Sequence, residues 1–156
     1  MTIRTTTGKT GVAVLLSAGV AFSLAGCALS EESTLVRQAL SVEQQDADVI
    51  PPTNDLGSVV LESSRFLGAE ENITYYLAEG DSDPHRSDEI CIVMFNTVTS
   101  ASMAGCSAEG SSQTLWGVGF GGARFPAYGS DNADDDWTEL RDILLVNPSA
   151  RSADRE

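Results

Sequence analysis

The chain has 156 residues, nine of them basic and 23 acidic, for a formal net charge of −14 at pH 7. That length holds one domain of ordinary size around a single core and leaves no room for two. The acidity excludes nucleic-acid binding, because so negative a field repels phosphates, and it reads first as solubility rather than as activity.

Residues 1–9 carry Arg4 and Lys9 and no acid, and residues 11–25, GVAVLLSAGVAFSLA, form an uncharged apolar run. A basic flank followed by an apolar core is the layout of a signal peptide. The run is shorter than the roughly 20 residues of a membrane-spanning helix, so a permanent span is not expected. It ends in Leu24-Ala25-Gly26-Cys27, which resembles the lipobox of bacterial lipoproteins. The resemblance implies a diacylglyceryl thioether on the Cys27 sulfur and cleavage that makes Cys27 the first residue of the mature protein. The mature chain is then held on the extracytoplasmic face of the cell membrane, where two acyl chains suffice for stable anchoring. The competing reading is an ordinary secretory peptide cut after Ala25, with Cys27 as a chance thiol.

Removal of residues 1–26 leaves seven arginines, no lysine and 23 acids, a formal charge of −16. If lipid consumes Cys27, then Cys91 and Cys106 remain, and outside the cytoplasm two such thiols are expected to be bonded to each other.

Residues 27–55 are polar, acidic and poor in aromatics, and read as a tether too weakly apolar to offset the entropy of ordering. Within it, Leu35, Val36, Ala39 and Leu40 recur at helical spacing, with Ser30 or Ser33 as a cap, so a short helix is expected over residues 33–44. Pro51-Pro52 ends that element, and the boundary with the folded domain, 56–147, is placed nearby.

From Ser63 the pattern becomes β-like. SRFLG and ITYYLAE flank the turn-like AEEN, a hairpin that sets Phe66 opposite Tyr75 if the loop has four residues. Asn72-Ile73-Thr74 fits a glycosylation acceptor, but its useful content is that it places Asn72 in a turn. After the polar stretch 80–89, the run Ile90-Cys91-Ile92-Val93-Met94-Phe95 reads as a central strand buried on both faces. A hairpin centred between Val98 and Thr99 then brings residues 101–107 back, and this register sets Cys91 directly opposite Cys106. Across an antiparallel pair that separation suits a disulfide.

Residues 114–120 read as one strand, with Trp116, Val118 and Phe120 on one side and Leu115 and glycines on the other. Residues 137–146, WTELRDILLV, fit either a helix or a closing strand, with a strand favoured over 142–146. The tail 148–156 is expected to be disordered. The fold class is therefore α+β or mainly β: a small antiparallel sheet of hairpins with a disulfide, behind a signal helix and an acidic tether.

The segments 63–70 and 73–78, with Ile90-Cys91-Ile92-Val93 and Gly105-Cys106, resemble small exported proteins of actinobacteria across residues 47–107. The resemblance implies the cysteine pairing and the lipoprotein character. It carries over no catalytic or binding residue, since that group has no assigned activity.

No catalytic constellation emerges. His85, the sole histidine, lies in the polar stretch DSDPHRSD, and no G-x-S-x-G turn accompanies it. Asp131, Asp134, Asp135 and Asp136 crowd oxygen ligands together, but Ala133 and Asp136 stand where an EF-hand needs a ligand and a glycine. Asp81, Asp83, Asp88 and Glu89 have no ligand spacing either. The glycines at 117, 119, 121 and 122 lack the βαβ frame of a nucleotide site. Of the aromatics Tyr75, Tyr76, Trp116, Phe125, Tyr128 and Trp137, Tyr76 and Trp116 are singled out as candidate ligand-binding residues. The expectation is a non-catalytic envelope protein without metal or cofactor, binding another exported protein or a small ligand. A solute-binding accessory lipoprotein and an envelope hydrolase are the alternatives.

Overall fold

A computed structural model describes residues 31–52, 56–81, 88–126 and 136–150. Cys27, Asp83, His85, Tyr128, Asp131, Asp134 and Asp135 lie outside the described residues. The fold is mainly β. The described residues form one helix, α1 (Glu31–Ser41), a single 3-10 turn (Asp46–Asp48) and eight strands in two antiparallel sheets.

The first sheet is a meander of β1 (Val59–Glu70), β2 (Ile73–Gly80), β3 (Glu89–Asn96) and β4 (Ser102–Ala108), in that spatial order. The second contains β5 (Thr114–Gly117), β6 (Gly121–Arg124), β7 (Thr138–Leu140) and β8 (Leu144–Asn147), in the order β5-β6-β8-β7.

Side chains alternate across a strand, so an apolar run without a polar gap must be covered on both faces. β3 is such a run. Its Ile90, Ile92 and Met94 join Tyr75 and Leu77 of β2 in a core shared with Ala123, Leu144 and Val146 of the second sheet. Cys91, Val93 and Phe95 point the other way. There Val93 and Phe95 pack with Tyr76, Phe66 and Ala104 beneath Ile50 and Leu56. The central strand buried on both faces is thus observed, as is the expected register: Cys91 pairs with Cys106, and Met94 with Met103.

Several expectations need correction. The β1–β2 hairpin turns on two residues, Glu71 and Asn72, instead of four, and Phe66 faces Tyr76 instead of Tyr75. The cause is a register shift between Phe66 and Gly68, which adds a residue to β1 and carries pairing out to Glu70 and Ile73. A second shift between Val60 and Arg65 explains why β1 begins at Val59, ahead of the alternating pattern. Residues 114–120 are not one strand. Gly119, at φ +79°, lies in a tight turn closed by Phe120 N–H donating to Gly117 O at 3.0 Å, and Val118 projects fully into solvent at its tip. A positive φ at this position is what glycine supplies without strain. Residues 137–146 resolve as two strand segments joined by a turn through Arg141 and Asp142, so the favoured strand is present at 144–147.

The largest correction concerns residues 27–55. Composition reads them as a tether, but the described part, 31–52, packs on the sandwich. Val36 and Ile50 are buried in the two cores. The rest is held by polar groups that hydropathy does not register. The buried Arg65 guanidinium donates to Leu40 O at 3.0 Å and also to Val42 O, satisfying carbonyls that the end of α1 leaves open. Gln44 Nε2 donates to Leu61 O and to Ser64 Oγ. The carboxylate of buried Asp48 accepts from Gln45 N and Phe66 N, both at 2.8 Å, while Ser64 Oγ donates to Asp48 O. Arg37 pairs with Glu109 at the far side of the helix. The folded unit therefore includes residues 31–52 ahead of residue 56.

Candidate functional site

The two candidate aromatic residues lie on opposite sides of the sandwich. Tyr76 points to the outer face of the first sheet, where it is 5% exposed and meets the Phe66 ring edge-on at 6.0 Å. Burial, and secondarily the Asp48 carboxylate, push its ionisation above the usual tyrosine range. It is a core residue clustered with Ile50 and Leu56. Tyr75 is fully buried between the sheets, and its hydroxyl has no hydrogen-bond partner.

Trp116 is placed differently. In the second sheet, Ala123, Leu144 and Val146 face the core, and the intervening residues Gly122, Arg124, Leu145 and Asn147 face outward. Trp116 stands opposite Gly122 and Thr114 opposite Arg124. The missing side chain at Gly122 is what admits the indole: a Cβ there would lie 2.8 Å from the Trp116 ring. From this seat Trp116 meets Trp137 edge-on, with ring centroids 5.6 Å apart. The Arg124 guanidinium lies 4.3 Å from the Trp137 ring centroid, within cation–π distance.

The result is a cluster of two half-buried indoles and one guanidinium on the outer face of a sheet. Rings held this way offer large contact area with few rotors to freeze, and a cation beside them adds a directional donor. None of the three side chains is itself a nucleophile or a general base. Of the cluster's members, sequence reasoning selected Trp116 but not Trp137, Arg124 or Gly122. The signal available was that the chain has only two tryptophans and that Gly122 sits where a strand would otherwise carry a side chain.

A polar groove of about 400 Å³ lies between the β1–β2 turn and the end of β8, lined by Glu70, Glu71, Asp136, Thr138, Asn147 and Pro148. Among the described residues no group of three or more His, Cys, Asp or Glu side chains is arranged to hold a metal ion. No described helix is long and apolar enough to cross a membrane. Cys91 and Cys106 form a disulfide with a Cα separation of 4.0 Å. No family model, curated protein sequence or solved structure matches the chain.

Proposed function

We propose that this chain is a lipoprotein of the cell envelope, anchored on the extracytoplasmic face through Cys27, whose β-sandwich binds a partner and performs no chemistry. The observation that carries the binding role is the Trp116–Trp137–Arg124 cluster on the outer face of the second sheet. Its open, sheet-borne form suits the surface of another exported protein better than an enclosed solute. The export reading is supported by the Leu24-Ala25-Gly26-Cys27 segment and by a disulfide, which persists in oxidising compartments.

A photo-crosslinking residue at exposed Thr114, which neighbours Arg124 on this face, tests the idea in cells. A discrete protein adduct is expected from position 114 and none from the same residue at exposed Leu61, on β1 of the other sheet. Its loss on Trp137→Ala would assign it to the cluster. Equal labelling from both positions, or none from 114, would remove the binding role.

A further inference from the structure

Four strands bound the two sheets: β1 and β4 in the first, β5 and β7 in the second. An open edge presents unpaired N–H and C=O groups, and proteins usually blunt it by shortness, bulges, charge or proline. Three of the four are blunted. β5 has four residues and β7 three. β1 is broken by two register shifts, and Gln44 occupies its Leu61 and Ser64 carbonyls. β4 is not blunted. Its seven residues, SMAGCSA, pair with β3 without a register shift and include no charge and no proline.

The ladder shows which groups β4 offers. Asn96 N donates to Ala101 O, and Glu109 N donates to Asp88 O. These are hydrogen-bonded pairs, and alternation along an antiparallel ladder makes Ser102, Ala104, Cys106 and Ala108 members of the non-bonded pairs. Their N–H and C=O groups point away from β3. Among the described residues only the Ala108 carbonyl is taken, by Ser111 N at 3.1 Å.

We propose that β4 is a self-pairing edge. Two copies of the chain join β4 to β4 in antiparallel fashion about a two-fold axis at Gly105, fusing their four-stranded sheets into one. This axis sets Ser102 opposite the partner's Ala108 and Ala104 opposite the partner's Cys106; the Ala104–Cys106 pairs are open on both strands, and each Ser102–Ala108 pair keeps the bond from Ala108 N to Ser102 O, since Ser111 N occupies the Ala108 carbonyl. Charge selects a second copy as the occupant. The Ala108 end of β4 is flanked by the acids Asp88 and Glu89 and by Glu109, whose charge Arg37 pairs, whereas the turn at the Ser102 end, residues 97–101, carries no charge. Antiparallel self-pairing lays the acidic end of one copy against the neutral end of the other. The net charge of each copy still opposes approach, so salt strengthens the association.

The test uses the full chain, solubilised from membranes in detergent, with its protein mass read by sedimentation equilibrium. Twice the single-chain mass is expected, with the dimer fraction rising as sodium chloride is added. Ala104→Pro removes an outward N–H without touching the β3 ladder, and is expected to halve the mass while leaving the Cys91–Cys106 disulfide in place. Hydrogen exchange on the unsubstituted chain provides an independent readout: amides of Ser102, Ala104 and Cys106 should slow on the order of tenfold on going from dilute to concentrated protein. A single-chain mass at every concentration and salt level would overturn the proposal. So would a dimer that survives Ala104→Pro, or exchange at these amides that ignores concentration.

Discussion

Cys91 and Cys106 face each other across β3 and β4 in a non-hydrogen-bonded pair, the position where antiparallel Cα atoms come closest, here 4.0 Å. The bridge closes a separation of 15 residues and lies beside Val93 and Ala104 in the outer core. In the chain-entropy account a loop of that size contributes about 3 kcal/mol, through the unfolded state. Cys91→Ala with Cys106→Ala is expected to lower unfolding stability by about that amount, read from the denaturant midpoint. Intact mass with and without reductant should differ by two hydrogens. Free thiols at both positions in the unreduced protein would refute the pairing.

Arg65 holds the end of α1 to β1 by donating to Leu40 O and Val42 O. Lysine has the charge but not the planar fork, so Arg65→Lys is no conservative change here. Arg65→Met is expected to free residues 31–50 while the sandwich stays folded. Hydrogen exchange would report this as lost protection in α1 with β2 and β3 unchanged. Undiminished protection in α1 would show that Val36 and Ile50 suffice to dock it.

Gly122 carries the seat of Trp116. Gly122→Ala puts a methyl group 2.8 Å from the indole, closer than side-chain carbons approach. The ring must move, separating it from Trp137. Loss of near-ultraviolet circular dichroism from the coupled indoles is expected, with a destabilisation of about 1–3 kcal/mol for overpacking. An unchanged spectrum would mean that the Trp116–Trp137 contact does not depend on this glycine.

Both buried tyrosines resist ionisation. Burial is the first cause for each, reinforced for Tyr75 by Glu70 and Glu71 and for Tyr76 by Asp48. Their folded-state pKa lies above the unfolded value of about 10. In that window the folded state binds more protons than the unfolded state, so stability is intact below about pH 10 and falls as pH rises toward the folded-state ionisation. The slope approaches about 1.4 kcal/mol per pH unit where a tyrosine is ionised in the unfolded chain and still protonated in the folded one. Tyr75→Phe removes a buried hydroxyl that has no partner, and is expected to cost little at pH 7 and to make the alkaline loss shallower. Urea midpoints at pH 7 and pH 11 would check both signs.

What could be read from sequence depended on whether one physical rule acted alone. Around Cys91 it did: an unbroken apolar run and a single turn centre leave one register that buries both faces of β3. Around Phe66 the period of two is interrupted by an added residue beside Gly68, and a lone strand glycine does not say whether it marks a bulge or only a close approach, so the partner of Phe66 shifts by one. Gly119 was visible, but glycine within a strand and glycine in a turn look alike until a partner strand is known. The 31–52 segment failed for a different reason. Its docking rests on Arg65, Gln44, Ser64 and Asp48, polar residues that a composition argument counts against burial.

That docking changes what the proposed anchor implies. If lipid is attached at Cys27, only residues 28–30 separate it from α1, and the four steps from Cys27 to Glu31 span at most about 14 Å in any conformation. The sandwich would then ride against the membrane instead of at the end of a 30-residue leash. A fluorophore on Gln38, exposed on α1, should be quenched strongly by head-group quenchers in vesicles carrying the lipidated protein. Cys27→Ser should move the protein to the soluble fraction and abolish the quenching. Membrane retention of Cys27→Ser would sink the lipid anchor itself. Retention of wild type with weak quenching at Gln38 would leave the anchor intact and show instead that α1 comes away from the sandwich when the chain is attached.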